Sequence, residues 1–379
     1  MPADQFELKS PPSDAISAVR FAPGSSTKLL VSSWDRHVYL YDTHAEPDGQ
    51  LIRSFEHRAP VLDVCFGEEN EAFTASLDWD VRRYLKSRPV VQVIVTHDKG
   101  ATDASHSRID LSTGDQTILS SHEAAACRIA YHQPTKTLLS ASWDSTLHIH
   151  HPHAPTSIPC TLSLPAKPFA LSLSTSKLVI AMSSRLVHIY DISALSLLSS
   201  QSAQPPPNPI ACEPFQRRES SLKFMTRAIA CMPNDAGYAS SSIEGRVAVE
   251  WFDASDESQS RKYAFKCHRQ AVTEGEDKGM DVVYPVHALA FHPTHGTFAS
   301  GGGDGVVALW DAVAKRRIRQ YQKFPASVAA MDFSGDGKLL AVGVSPGFED
   351  GSEDVVGEGT VKVFVRTLAE GEAKGKAGK

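Results

Sequence analysis

The sequence repeats one plan along its length. LLVSSWDRHVYLYD (29–42), LLSASWDSTLHIHH (138–151) and FASGGGDGVVALWD (298–311) each run from apolar residues through small ones to an Asp. Alternating apolar residues follow, usually ending on an aromatic-Asp pair. FTASLDWDVRRY (73–84) is a fourth copy. LVIAMSSRLVHIYD (178–191) and YASSSIEGRVAVEW (238–251) carry Ser184 and Glu244 at the Asp position. A weaker seventh copy joins LLAVGV (339–344) to EGTVKVFV (358–365) across a loop. The turn positions 35, 78, 144, 184, 244, 304 and 358 are spaced by 43, 66, 40, 60, 60 and 54 residues.

The shortest spacings match the period of about 40–45 residues shown by four-stranded propeller blades. Alternation in VYLY, LHIH, VHIY and VALW marks half-buried strands, and Gly and Asp between paired runs mark tight hairpins. The expected fold is all-β, a seven-bladed β-propeller whose ring closure protects the sheet edges. A chain of 379 residues would suit two or three domains; the repeat makes residues 1–365 one ring, with 366–379 a flexible charged tail. The chain runs out after KVFV, so Phe6–Lys9 is predicted to supply the outer strand of blade seven. Asp35, Asp78, Asp144 and Asp304 are expected to be structural, their carboxylates accepting turn hydrogen bonds. Because they recur in different blades, they do not converge on one centre.

Two segments exceed the period. Removing residues 85–109 restores an aromatic-Asp pair, Tyr84 before Asp110, so these residues read as an insertion in an outer loop (a lineage insertion or a retained intron in the gene model) or, equally, as an ordinary long connection. The stretch 193–216 is rich in Pro, Ser and Gln and reads as a flexible surface loop.

Lys plus Arg number 38 against 44 Asp plus Glu, a net charge of −6, which gives no broad basic field for nucleic acid. No apolar run reaches a membrane span, and MPADQFELKSPPSD lacks the basic start and apolar core of a secretory signal. The six cysteines (65, 127, 160, 212, 231, 267) form no C-x-x-C pair and are expected to be reduced, buried thiols of a cytosolic or nuclear protein.

Motifs suggestive of chemistry fail on inspection. GVSPG (343–347) matches G-x-S-x-G, but the residue after Ser345 is Pro346, which has no N–H to donate, and no helix follows. HIHHPH (148–153) puts His148 and His150 on one strand face and His151 and His153 elsewhere; His150 and His151 take the aromatic-Asp slot of blade three, and a zinc site needs three or four converging ligands. GGGDG (301–305) lacks the Lys-Ser/Thr of a phosphate loop. KRRIRQ (315–320) reads as a charged edge strand. No catalytic set, metal site or cofactor site assembles, and the chain reads as a binding scaffold.

The most specific stretch is QRRESSLKFMTRAIACMPNDAGYASSSIEGRVAVEWFD (216–253), followed by RKYAFKCHR (261–269). Arg227 starts an inner strand, Arg246 follows the Glu-Gly turn, and Lys266 ends an outer strand. All three positions face one rim of blade five and are expected to form a positive cluster, with Lys223 beside it, suited to an acidic or phosphorylated peptide. Trp34 and Trp143 precede the turn Asp of blades one and three on the same rim, where Trp beside Arg fits a peptide interface; Trp79 follows Asp78 in blade two.

PPSDAISAVRFAP, LLVSSWD, RRESSLKFMTR, SSIEGRVAVEWFD and YAFKCHR resemble the mitotic spindle-checkpoint WD-repeat protein of the budding-uninhibited-by-benzimidazole family, over residues 6–365 apart from 85–109 and the Pro-rich loop. The resemblance implies a seven-bladed WD40 propeller without enzymatic activity, cofactor, small-molecule substrate or membrane partner, located in the nucleus and at kinetochores in mitosis. It implies binding of the GLEBS segment of checkpoint kinase and of a checkpoint-complex protein, and reading of phosphothreonine Met-Glu-Leu-Thr repeats on the kinetochore scaffold. By that resemblance Arg227 and Lys266 pair with acidic GLEBS side chains and the phosphopeptide surface, Arg246 contacts the phosphothreonine, and Trp34 packs on the partner. It also attaches ubiquitin binding to such a chain. The alternatives are a related messenger-RNA export factor that binds a nucleoporin GLEBS segment, and a ubiquitin-ligase substrate receptor.

Overall fold

The computed structural model describes residues 4–45, 48–68, 71–85, 116–153, 159–200, 212–275, 277–347 and 360–375. Among them, seven four-stranded antiparallel sheets follow one another round a ring, each ordered from inner to outer strand. Blade one comprises Ile16–Phe21, Lys28–Ser33, His37–Asp42 and Gln50–Glu56. Blades two, three and four begin at Val61–Phe66, Ala126–His132 and Pro168–Leu173. Blade five comprises Thr226–Cys231, Gly237–Ser242, Arg246–Trp251 and Tyr263–Lys266, and blade six Val286–Phe291, Thr297–Gly302, Val307–Asp311 and Arg316–Gln320.

The repeat's small residues have a packing cause. The second strands Thr137–Ser142, Gly237–Ser242 and Thr297–Gly302 are buried at every residue, because neighbouring blades cover both faces. A Cβ at Gly301 would lie 2.4 Å from Val328 Cγ1 of the next blade. The outer strand Gln50–Glu56 instead alternates, with one face in solvent.

The turn Asp closes its hairpin with its own side chain. Asp35 Oδ1 accepts the His37 amide at 3.0 Å, Asp144 Oδ1 that of Thr146 at 2.8 Å, and Asp304 Oδ1 that of Val306 at 3.1 Å. The residue between is left-handed: Arg36 at φ 70°, Ser145 at 67°, Gly305 at 72°. The other oxygen ties the turn to the preceding connection, Asp35 Oδ2 accepting Ser13 N and Asp144 Oδ2 accepting Glu123 N, both at 2.8 Å. Burial raises the Asp144 carboxyl, but bonds from His122, Thr146 and the Glu123 amide outweigh it and hold the group below the usual carboxylate range. Asp78 Oδ1 likewise accepts the Asp80 amide, at 3.3 Å, but its Oδ2 takes Arg82 Nη2 at 2.6 Å.

In blade six Trp310 Nε1 donates to Ser300 Oγ, which meets His268 Nε2, and His268 Nδ1 meets Asp304, each at 2.8 Å. Blade three builds the same chain with His150 in the Trp position: His150 Nε2 and His122 Nε2 meet Ser140 Oγ at 3.2 and 3.0 Å, and His122 Nδ1 lies 3.4 Å from Asp144. The histidine run is therefore a divergent third strand.

Blade seven pairs Ser327–Phe333, Leu339–Ser345 and Lys362–Thr367 with the N-terminal Gln5–Glu7, Phe6 opposite Val365. The ring is closed by this strand, as the missing outer strand required. Leu8 N donates to Val363 O at 2.8 Å, and Leu8 packs with Ile16, Val19 and Val363 between blades seven and one.

Three boundaries are corrected. Leu85 pairs with Glu71 and ends the third strand of blade two, so it belongs to the blade; the rest of 85–109 lies outside the described residues. The 193–216 segment is not all loop: Ile192–Ser200 is a helix whose Ile192 and Leu195 are buried between blades three and four, and Gln216–Glu219 is the outer strand of blade four. The tail is docked as far as Gly375. Leu368 and Ala373 join the core of blades six and seven, Ala373 O accepts Thr297 Oγ1 at 2.6 Å, and Glu372 bridges Arg319 and Arg366 at 2.8 and 3.4 Å. Apolar anchors and a buried carboxylate offset the Gly- and Lys-rich composition that reads as flexible.

Candidate functional site

The Glu244-Gly245 turn sets the first half of the site. Gly245 has φ 61°, and a Cβ there would meet Cys267 O at 2.8 Å, so the turn presses on the end of the outer strand. That places Arg246 and Lys266 directly opposite each other in register. The Arg246 side chain is one-third exposed, with Nε 3.5 Å from Glu244 Oε2. Glu244 Oε1 also accepts the Lys223 amide at 3.2 Å, while the Lys223 side chain points outward. Lys266 is exposed and has no ion-pair partner among the described residues.

Beyond Lys266 a groove of about 400 Å³ opens between blades five and six, lined by Arg269, Arg317, Lys323 and Trp310. Its lining carboxylate, Asp304, is committed to His268 and the Val306 amide. The groove is thus cationic on an acidic protein.

The second half lies at the mouth of the central channel. Trp34 and Trp143 are 42% and 37% exposed and line one cavity of about 290 Å³ with Arg227, Arg128 and His287. Arg227 occupies the bulge in the inner strand of blade five, between the paired residues Thr226 and Ala228, and its Nη2 lies 3.1 Å from His287 Nδ1. Arg227, Arg246 and Lys266 do share one edge of the blade five sheet. Their side chains serve two places: Arg227 joins the tryptophans at the mouth, whereas Lys266 lines the lateral groove. Trp79 is 53% exposed but lies outside the residues lining the mouth cavity.

Ser345, at the end of the buried second strand of blade seven, lines the mouth cavity as well, but among the described residues no histidine or carboxylate hydrogen-bonds its hydroxyl. Burial pushes the thiols of Cys127, Cys231 and Cys267 up to about 12, the opposite of an activated nucleophile. His148 meets Ser120 Oγ at 3.1 Å and stacks on His122 at 3.6 Å, and His151 meets Ser196 O at 3.2 Å.

Sequence reasoning missed Arg128, because CRIAY carries no motif and its inward placement follows from ring closure. It also missed the hairpin Arg269–Ala271 with Asp281–Val283 beside the groove, whose strands are three residues each, too short to show a period.

The WD domain, G-beta repeat family matches residues 5–42, 113–151 and 282–311. The chain is 39% identical to mitotic checkpoint protein BUB3.1 of Arabidopsis thaliana, over 99% of this chain and 96% of that protein. It is 32% identical to spindle assembly checkpoint protein bub3 of Schizosaccharomyces pombe, over 87% of this chain and 88% of the relative. The poly(A)+ RNA export protein of the same yeast is 29% identical, over 89% and 83%. A ring of seven repeats and this similarity along nearly the whole chain place it in the BUB3 family of spindle-checkpoint WD-repeat propellers, a non-enzymatic family.

Proposed function

We propose that this propeller docks an acidic GLEBS segment of checkpoint kinase, or of a checkpoint-complex protein, across its channel mouth and holds a phosphothreonine motif of the kinetochore scaffold at its side. The observation that carries the reading is the pairing of Arg246 with Lys266 on the same blade edge as Arg227. Arginine offers planar bidentate bonds to an oxyanion and lysine a compact charge. A phosphate brings nearly two charges and three acceptors, enough to switch docking on at a site where Glu244 partly compensates Arg246. The exposed Trp34 and Trp143 supply the apolar anchors that dominate peptide interfaces. In this reading the protein works in the nucleus and at kinetochores in mitosis.

Affinity purification from mitotic cells tests it. Recovery of checkpoint kinase and kinetochore scaffold is the expected outcome. Recovery of a nucleoporin with RNA, and neither of those, overturns it in favour of the export role named for the 29% identical relative.

A further inference from the structure

The turn between the second and third strands of a blade holds a left-handed residue. In blades one to six it is Arg36, Trp79, Ser145, Arg185, Gly245 and Gly305, at φ 70°, 76°, 67°, 64°, 61° and 72°. Each carbonyl accepts an amide from the connection after the outer strand, that of His122 at 3.0 Å in the case of Trp79. A Cβ strains this conformation, and a bulky side chain is the least suited to it. Trp79 is the one aromatic among these six residues, and it is 53% exposed. Leu77 takes the place before the turn Asp that Trp34 and Trp143 hold, and packs against Leu62 and Ala125. The Trp79 indole makes no ring stack or cation–π contact among the described residues. Neither the turn nor the core calls for it.

Its surroundings are cationic. Residues 57–60 bridge the turns of blades one and two: His57 N donates to Arg36 O at 2.7 Å, and Leu77 N to Pro60 O at 2.9 Å. Arg58 lies within this bridge. It corresponds to Glu123 of blade three, whose amide meets Asp144. Arg36 and Arg58 are exposed, and neither has an ion-pair partner among the described residues. The carboxylates of the two turns are committed elsewhere, Asp35 to Ser13, His37 and Tyr39, and Asp78 and Asp80 to Arg82.

We propose that Arg36, Arg58 and Trp79 form a docking surface on the rim of blades one and two for an acidic protein segment, which lays an apolar side chain on the indole and carboxylates on the two guanidiniums. Charge complementarity selects this partner: two uncompensated arginines on a chain of net charge −6 attract carboxylates locally. Trp and Arg together are the residue types that dominate hot spots of peptide interfaces. Two cations are too few to neutralise the phosphate backbone of a nucleic acid. None of the three residues lines the mouth cavity or the lateral groove. The surface therefore stands whether or not those places take the partners proposed above.

Fluorescence anisotropy of the full chain with a labelled peptide repeating Glu-Asp-Leu tests the proposal. Saturable binding is expected, weakened at least about fivefold in Trp79→Gly and in the double variant Arg36→Ala, Arg58→Ala, and unchanged in Arg53→Ala on the outer strand of blade one. Replacing each Leu of the peptide by Ser is expected to weaken binding to the wild type but not to Trp79→Gly, a coupling that places the apolar side chain on the indole. Glycine relieves the turn, so Trp79→Gly is expected to melt within about 3 °C of the wild type or above it. A larger fall makes the indole structural and overturns the surface. So does the absence of saturable binding, or binding that Trp79→Gly leaves intact, which puts the peptide elsewhere on the ring. Tighter binding of oligothymidylate than of the peptide, lost in Trp79→Gly, overturns it in favour of a nucleic-acid surface.

Discussion

Arg246 and Lys266 face each other across the third and outer strands of blade five, with Glu244 3.5 Å from the Arg246 guanidinium. The arrangement is a cation pair with one internal competitor. A dianionic phosphate displaces the monoanionic carboxylate more readily than a neutral hydroxyl does. Arg246→Ala is therefore expected to abolish the preference for phosphorylated over unphosphorylated peptide while leaving the melting temperature within about 1–2 °C, since the side chain is partly exposed. Glu244→Gln is expected to raise phosphopeptide affinity a few-fold. Fluorescence anisotropy with a matched peptide pair measures both, and equal phosphopeptide affinity in wild type and Arg246→Ala would refute the role.

Trp34 and Trp143 share the mouth cavity but belong to blades one and three. Truncating a central aromatic anchor typically costs about 2 kcal/mol or more of binding. Trp34→Ala is expected to weaken docking of an acidic GLEBS peptide at least about tenfold without lowering thermal stability. A melting temperature that falls in step with affinity would mean the indole holds the blade rather than the partner.

The ring is held shut at two places in blade seven. Deleting residues 1–10 removes the Phe6–Val365 pairing and the burial of Leu8, which alone contributes about 2 kcal/mol. The melting temperature is expected to fall by at least about 5 °C; an unchanged value would exclude the latch. Glu372→Ala takes the buried bridge from Arg319 and Arg366 and is expected to cost about 1–2 kcal/mol.

Burial lowers His57 and His148 to about 3, and the neighbouring charges of Arg82 and His122 add to the effect. The unfolded chain takes up these protons near pH 6.5, whereas the folded protein refuses them until about pH 3. The stability they contribute is full above about pH 6.5 and is lost as pH falls toward 3. Each contributes a slope of up to about 1.4 kcal/mol per pH unit. Melting temperature is thus expected to drop from pH 7.5 to 5, and to drop less in His148→Phe, which keeps the stack on His122. A flat profile in the wild type would contradict this.

Strand alternation, turn carboxylates and the absent outer strand of blade seven are local or periodic properties. The propeller, its closure by Phe6 and the structural role of Asp35, Asp144 and Asp304 were therefore legible from the residues alone. So was the common edge of Arg227, Arg246 and Lys266, because the blade plan assigns each position a rim. Composition misled at 193–200 and 366–375, where a few apolar residues and Glu372 find partners on distant blades. Which way a rim side chain turns, and that Arg128 and Arg227 line one cavity, depends on bulges and on residues that ring closure brings together from far along the chain. Only the tertiary structure decided that the positive rim opens into two separate cavities, a lateral groove at Lys266 and a mouth lined by Arg128 and Arg227 together with Trp34 and Trp143.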